Sequence, residues 1–102
     1  MDIHNIRNKV RKNEYDLSFH AHQERQDEQI TIAEIEQVIL KGDIIEKYSN
    51  DPRGESCLVG SRNLHIVCGT RGTRLLIITV YRPKPPTWVD YKTRVKEVKN
   101  RV

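Results

Sequence analysis

Arg74-Leu75-Leu76-Ile77-Ile78-Thr79-Val80-Tyr81 is the longest apolar run of the chain. Its length and its wealth of β-branched and aromatic residues suit a buried strand better than a helix. Pro83, Pro85 and Pro86 follow, and proline cannot donate to a strand ladder, so pairing ends near Tyr81. Upstream lie three more strand patterns, Asp43 to Tyr48, Ser56 to Gly60 and Leu64 to Gly69. Between them come Asn50-Asp51-Pro52-Arg53-Gly54, Arg62-Asn63 and Arg71-Gly72, all turn-forming chemistry. Short turns join antiparallel neighbours. The Arg74–Tyr81 strand, being the most apolar, is expected at the centre of the sheet.

Helical patterns flank these strands. Ile3, Ile6 and Val10 recur at intervals of three and four, a weak amphipathic helix. Tyr15-Asp16-Leu17-Ser18-Phe19-His20 alternates apolar and polar, which is a strand period. Thr31 and Glu34 stand as a capping box before the stripe Ile32, Ile35, Val38, Ile39, and Gly42 closes that helix. Trp88, Tyr91, Val95, Val98 and Val102 form a second helical seam at the C-terminal end. The fold class is α+β: a mostly antiparallel sheet of four or five strands with helices on one face.

The chain has 102 residues, enough for one domain with one modest core. We expect a single domain over 1–102 with basic helical extensions at both ends. Arg7, Lys9, Arg11 and Lys12 face only Asp2 at the start, and Lys92 to Val102 holds five basic residues against Glu97. Basic ends suit phosphate backbones or acidic partners, or are simply solvated helix faces. No apolar run is long enough for a membrane span and the first residues carry no apolar signal segment, so the expected location is cytoplasmic. Cys57 and Cys68 are too few for a disulfide framework and have no zinc-type spacing. Free buried thiols are expected, with no metal and no cofactor.

Strand parity sorts the side chains. With tight turns, Cys57 opposes Cys68, Val59 opposes Ile66, Cys68 opposes Leu75 and Ile66 opposes Ile77. A hairpin around Pro52 brings Glu46 to Val59 and Tyr48 to Cys57. One face then carries Glu46, Tyr48, Cys57, Val59, Ile66, Cys68, Ile77, Thr79 and Tyr81. The other carries Ile45, Leu58, Val67, Leu76, Ile78 and Val80, with His65 near its end. The second set is more apolar and is assigned to the helices. Leu17 and Phe19 are expected to point to the helices too, which puts His20 on the mixed face with Glu46, Tyr48 and Tyr81.

The reactive residues concentrate in Ser18-Phe19-His20-Ala21-His22-Gln23-Glu24-Arg25. Imidazole titrates near neutrality, so His20 and His22 are candidate acids or bases. Arg25 is a candidate phosphate ligand. The alternative is a helix-start network in which Glu24 and Arg25 pair. Glu46 is a candidate base or an exposed edge residue. Tyr81 and Arg82 are site candidates or strand-boundary residues. His65 reads as a local hydrogen-bonding residue, and Trp88 as a core anchor rather than a stacking platform.

Taken together these motifs resemble the domain-of-unknown-function 4258 family. They are His20-Ala21, Glu24-Arg25, the 32–39 stripe with Gly42, Ile45-Glu46-Lys47-Tyr48, Leu64-His65-Ile66-Val67, Ile78-Thr79-Val80-Tyr81-Arg82-Pro83 and Trp88. The likeness spans about residues 15–90. Arg25 lies five positions after His20 where the pattern has four, and Asp27, Glu28 or Gln29 stands where a second arginine is usual. That family is similar to small RelE-type and barnase-like ribonuclease toxins, and the resemblance implies that some of its members sit beside zinc-finger antitoxins. It implies metal-independent RNA cleavage. His20 or Glu46 would take the 2′-hydroxyl proton, and Arg25 with Tyr81 or Arg82 would stabilise the phosphorane. His22, Arg82, Lys92 and Arg94 would contact RNA. The partners implied are RNA and a small antitoxin-like protein. The rival expectation is a non-catalytic interaction module that docks a partner, or a second copy as a homodimer, through residues 88–102.

Overall fold

A computed structural model describes residues 1–52, 54–85, 88 and 92. Three helices, α1 (Ile3–Arg11), α2 (Phe19–Asp27) and α3 (Ile32–Lys41), accompany five strands. The strands are β1 (Tyr15–Leu17), β2 (Asp43–Tyr48), β3 (Ser56–Gly60), β4 (His65–Arg71) and β5 (Arg74–Tyr81). They form one sheet in the order β1-β5-β4-β3-β2. Only β1 runs parallel to its neighbour; the other pairings are antiparallel. The α+β expectation holds. The apolar strand β5 is interior as expected, but β4 occupies the middle. The C-terminal seam from Tyr91 to Val102 lies outside the described residues.

Two bulges decide which face is the core. The β3–β4 register is the expected one, with Cys57 opposite Cys68 and Val59 opposite Ile66. In the β2–β3 pair the register shifts between Ile44 and Glu46, so Ile44 meets Val59 while Glu46 meets Leu58 and Tyr48 meets Ser56. In the β4–β5 pair the turn is Gly72-Thr73, one place later than expected, with Gly72 supplying the positive φ of 62°. There Cys68 meets Ile77, and after the shift Ile66 meets Val80. An extra residue on one strand reverses side-chain parity beyond it. Glu46, Tyr48, Thr79 and Tyr81 therefore leave the Cys57 face, while Ile44 and Val80 join it.

The buried side chains on that face are all apolar, with exposed Lys47 and Thr70 at its margins, and the helices cover it, contrary to the expected assignment. Cys57, Val59, Ile66, Cys68, Leu75, Ile77 and Val80 pack in one buried cluster with Ile6 and Val10 of α1, Ala21 of α2, Ile30, and Ile35, Val38 and Ile39 of α3. Burying an aliphatic side chain contributes on the order of 1.5–3 kcal/mol, so this layer dominates the favourable side of folding.

The helices are held by their ends. Thr31 Oγ1 accepts from the Glu34 N–H at 3.0 Å, as the capping motif predicts. Gly42 follows α3 with φ −82°, and its need is space: a Cβ there would lie 2.6 Å from the Gly60 carbonyl oxygen. Arg7 closes the same end, donating to the carbonyls of Ile39 at 3.1 Å and Gly42 at 2.9 Å. Helices α1 and α2 both end with a left-handed residue, Asn13 at φ 58° and Gln29 at φ 57°. Ile30 N–H returns to the Arg25 carbonyl at 2.7 Å, the wide bond of a Schellman turn.

The sequence stretch Tyr15–His20 does not stay extended. Strand β1 stops at Leu17, Ser18 caps α2, and Phe19 begins the helix at 84% exposure instead of entering the core. Ser18 explains the stop. Its N–H donates to Ile77 O at 2.9 Å, its Oγ donates to Ile78 O at 2.8 Å, and the same Oγ accepts from Ala21 N–H at 2.9 Å.

Ser18→Ala deletes a cap and leaves the Ile78 carbonyl without its side-chain donor, and we expect a loss of about 1–2 kcal/mol in urea unfolding. Gln29→Gly relieves the left-handed strain and should raise stability by up to about 1 kcal/mol in the same assay.

Candidate nucleic-acid interface

The second face of the sheet carries a groove of about 430 Å³ lined by Tyr48, Val67, Tyr81, Arg82, Lys84, Pro85 and Trp88. Its walls come from the ends of β2 and β5 and from the segment after β5. Tyr81 pairs across strands with His65, which pairs in turn with Gly60. That glycine makes room: a Cβ on residue 60 would sit 2.6 Å from His65 Cδ2. The His65 ring is fully buried, edge-on to Tyr81 at 5.2 Å and to Trp88 at 4.5 Å between centroids. His65 Nδ1 lies 3.1 Å from the Tyr81 hydroxyl. A buried imidazole is thus coupled by one hydrogen bond to a half-exposed phenol that reaches the groove. The Tyr48 hydroxyl donates to Glu46 Oε1.

The predicted site residues divide between two places. Tyr81 and Arg82 line the groove, and Glu46 joins it through Tyr48. His20, His22 and Arg25 stand on α2 beside the opposite edge of the sheet. Glu46 belongs to β2, three strand spacings from β5, or roughly 14 Å at backbone level. The expected convergence of His20 with Glu46 and Tyr81 is therefore not formed, because β1 turns into α2 two residues early. His20 Nε2 pairs with Glu24 Oε2 at 3.1 Å, His22 is exposed, and Arg25 Nη1 donates to the Ile30 carbonyl at 3.0 Å. Lys92 pairs with Asp43 at 3.1 Å. Arg94 lies outside the described residues.

Glu24 has a structural task the sequence did not reveal. Strand β1 pairs with β5 only through Ile77. Beyond it the Val80 N–H donates to Glu24 Oε1 at 3.0 Å and the Arg82 N–H to Glu28 Oε1 at 3.3 Å. Two carboxylates four residues apart, one on α2 and one at its C-cap, continue the edge that β1 leaves. The Val80 N–H is part-buried, and a buried donor left unmet costs about 1–3 kcal/mol, so Glu24 belongs to the fold.

Arg82 is also committed. It forks onto Glu34, Nη1 to Oε2 at 2.8 Å and Nη2 to Oε1 at 3.1 Å, and donates to the Asn63 carbonyl at 3.2 Å. Lys84 is exposed and lines the groove without such a fork. The Arg82 guanidinium holds the Glu34 carboxyl below the usual glutamate range, and the Thr31 N–H adds to the effect. On the helix face, burial pushes the Cys57 thiol up to about 11 and raises Cys68 as well. Both are free and buried, as expected.

Glu34 fixes a pH dependence. Its pKa is depressed in the fold, so its contribution is present above the unfolded value of about 4.3 and is lost as pH falls through the lower folded value. Glu34→Gln should flatten the acid limb of the stability curve below about pH 4, read by urea midpoints between pH 2 and 6.

No curated protein and no solved structure gives a significant match. A family model described as a domain of unknown function, DUF4258, matches residues 17–82, from the end of β1 to the groove residue Arg82. The strand-to-helix joint at Ser18, the α3 stripe and the His65–Tyr81 pair all lie inside that span, and the chain belongs to the DUF4258 family.

Proposed function

We propose that this chain binds single-stranded RNA in the groove on the second sheet face, in the manner of a small toxin-like ribonuclease that needs no metal. One observation carries the reading: Tyr48 and Tyr81 line a groove shared with Lys84, and a buried imidazole stands behind one of the phenols. Aromatic faces receive unstacked bases, and a nearby cation receives the phosphate. The excess of basic over acidic residues, formally +4, favours a polyanion.

The chemistry available differs from that expected of His20 and Arg25. Cleavage by the 2′-hydroxyl requires a proton acceptor there and a donor at the leaving 5′-oxygen. The Tyr81 hydroxyl takes the 2′-hydroxyl proton as it passes its own to His65 Nδ1 behind it, and water in the groove protonates the leaving 5′-oxygen. Buried as it is, His65 acts through Tyr81 rather than on RNA. Lys84 is the cation placed to meet charge building up on phosphorus.

The test is a fluorescence-anisotropy titration with a labelled single-stranded oligonucleotide, followed by incubation of the complex in EDTA. Tyr48→Ala should weaken binding by roughly tenfold, the magnitude of one lost stacking contact. Tyr81→Phe should retain most binding while abolishing cleavage. Binding without cleavage in the parent protein removes the ribonuclease assignment and leaves an RNA-binding domain. Absence of both removes the reading.

A further inference from the structure

We propose a second polyanion site at the far end of the sheet, where the last turn of α1 meets the β4–β5 hairpin. It rests on the RNA reading only in naming RNA as the ligand. Strand β5 carries the chain from this hairpin to Tyr81, roughly 23 Å away over seven residue steps. The two sites therefore occupy opposite ends of one strand.

Five cations gather here. Lys9 Nζ donates to the Thr73 carbonyl at 2.6 Å, which fixes α1 on the hairpin tip. Arg74 Nη2 reaches the Asn13 carbonyl at 3.4 Å, just past Arg11 and Lys12. Arg71 is the direct cross-strand partner of Arg74. Two acids pair with these cations. Asp16 takes the Arg74 fork, at 2.8 and 3.2 Å, and Glu14 lies 3.4 Å from Lys9. Arg11, Lys12 and Arg71 are exposed and form no ion pair among the described residues.

A like-charge pair such as Arg71 opposite Arg74 is unfavourable in a ladder. Asp16 offsets that cost at Arg74, and a phosphate is the added anion that the exposed Arg71 would meet. Beside the cluster lies a cavity of about 390 Å³ whose lining includes Asn5, Lys9, Thr70, Thr73 and Arg74 over a floor of Ile6 and Leu75. Asp2 and Glu55 also line it, so the anion is met by the exposed cations around the hairpin rather than within the cavity. Hydroxyl, amide and ammonium donors beside exposed guanidinium groups match phosphodiester oxygens. A strand that places bases in the groove would run its backbone along β5 to this end.

The test compares the full chain with the triple variant Arg11→Gln, Lys12→Gln, Arg71→Gln. Its three positions are surface ones outside the groove, and circular dichroism verifies folding. Two probes are used, inorganic polyphosphate and a labelled oligouridylate, each titrated over a range of potassium chloride. Counterion release predicts that removing three phosphate contacts lowers the slope of log K against log salt by roughly two for the oligouridylate. Polyphosphate affinity should drop by roughly tenfold at low salt. Unchanged polyphosphate binding in the variant overturns the site. If the parent binds polyphosphate through these residues but no RNA, the site stands and the RNA reading falls. If RNA binds with an unchanged slope while Tyr48→Ala weakens it, the groove stands and this site falls.

Discussion

The hydroxyl and N–H of Ser18 are the joint on which the structure turns. The β5 bulge directs two successive carbonyls, of Ile77 and Ile78, toward the same edge, and Ser18 satisfies both. Its oxygen simultaneously caps α2. With one residue closing a strand, filling a bulge and starting a helix, the chain leaves β1 at a fixed point and Ala21 enters the core. Without the bulge, Val80 would face away from the helices and Tyr81 toward them. The core face and the groove are thus two results of the same irregularity.

This also explains how far the sequence can be read. Periodicity located α1, α3 and four of the strands, because length, apolar content and flanking turn residues mark those segments even where a bulge interrupts the repeat. The Thr31 cap, the Cys57–Cys68 pairing and the Gly42 terminus followed from local chemistry. Parity arguments then failed at Ile45 and Ile78, where two isoleucines in a row carry no mark of which is the extra residue. A bulge is a long-range compromise between strand twist and helix packing, and nothing within four residues encodes it. Phe19 shows the same limit. Its alternation with Leu17 is a strand signal that the Ser18 cap overrides.

The candidate residues named from the sequence fall in two places in the structure. Tyr81, Arg82 and Glu46 were singled out from chemistry alone, and the groove contains or adjoins them. His20 and Arg25 were singled out for the same reason but serve α2 itself. His65 was set apart because parity placed it on the other face from Tyr81; the β4–β5 shift makes the two direct partners. Its one sequence signal was Gly60, a residue lacking a side chain opposite a bulky ring.

The carboxylates of Glu24 and Glu28 do more than complete hydrogen bonds on β5. An exposed strand edge is a template on which another chain can add a strand, the first step toward aggregation. Here the template is filled by side chains from a helix, which no incoming backbone can copy and which repel a second acidic edge. Protecting the edge this way leaves β1 free to be only three residues long. Its guard is made of side-chain acceptors, so β5 stays closed to an incoming chain without a longer partner strand.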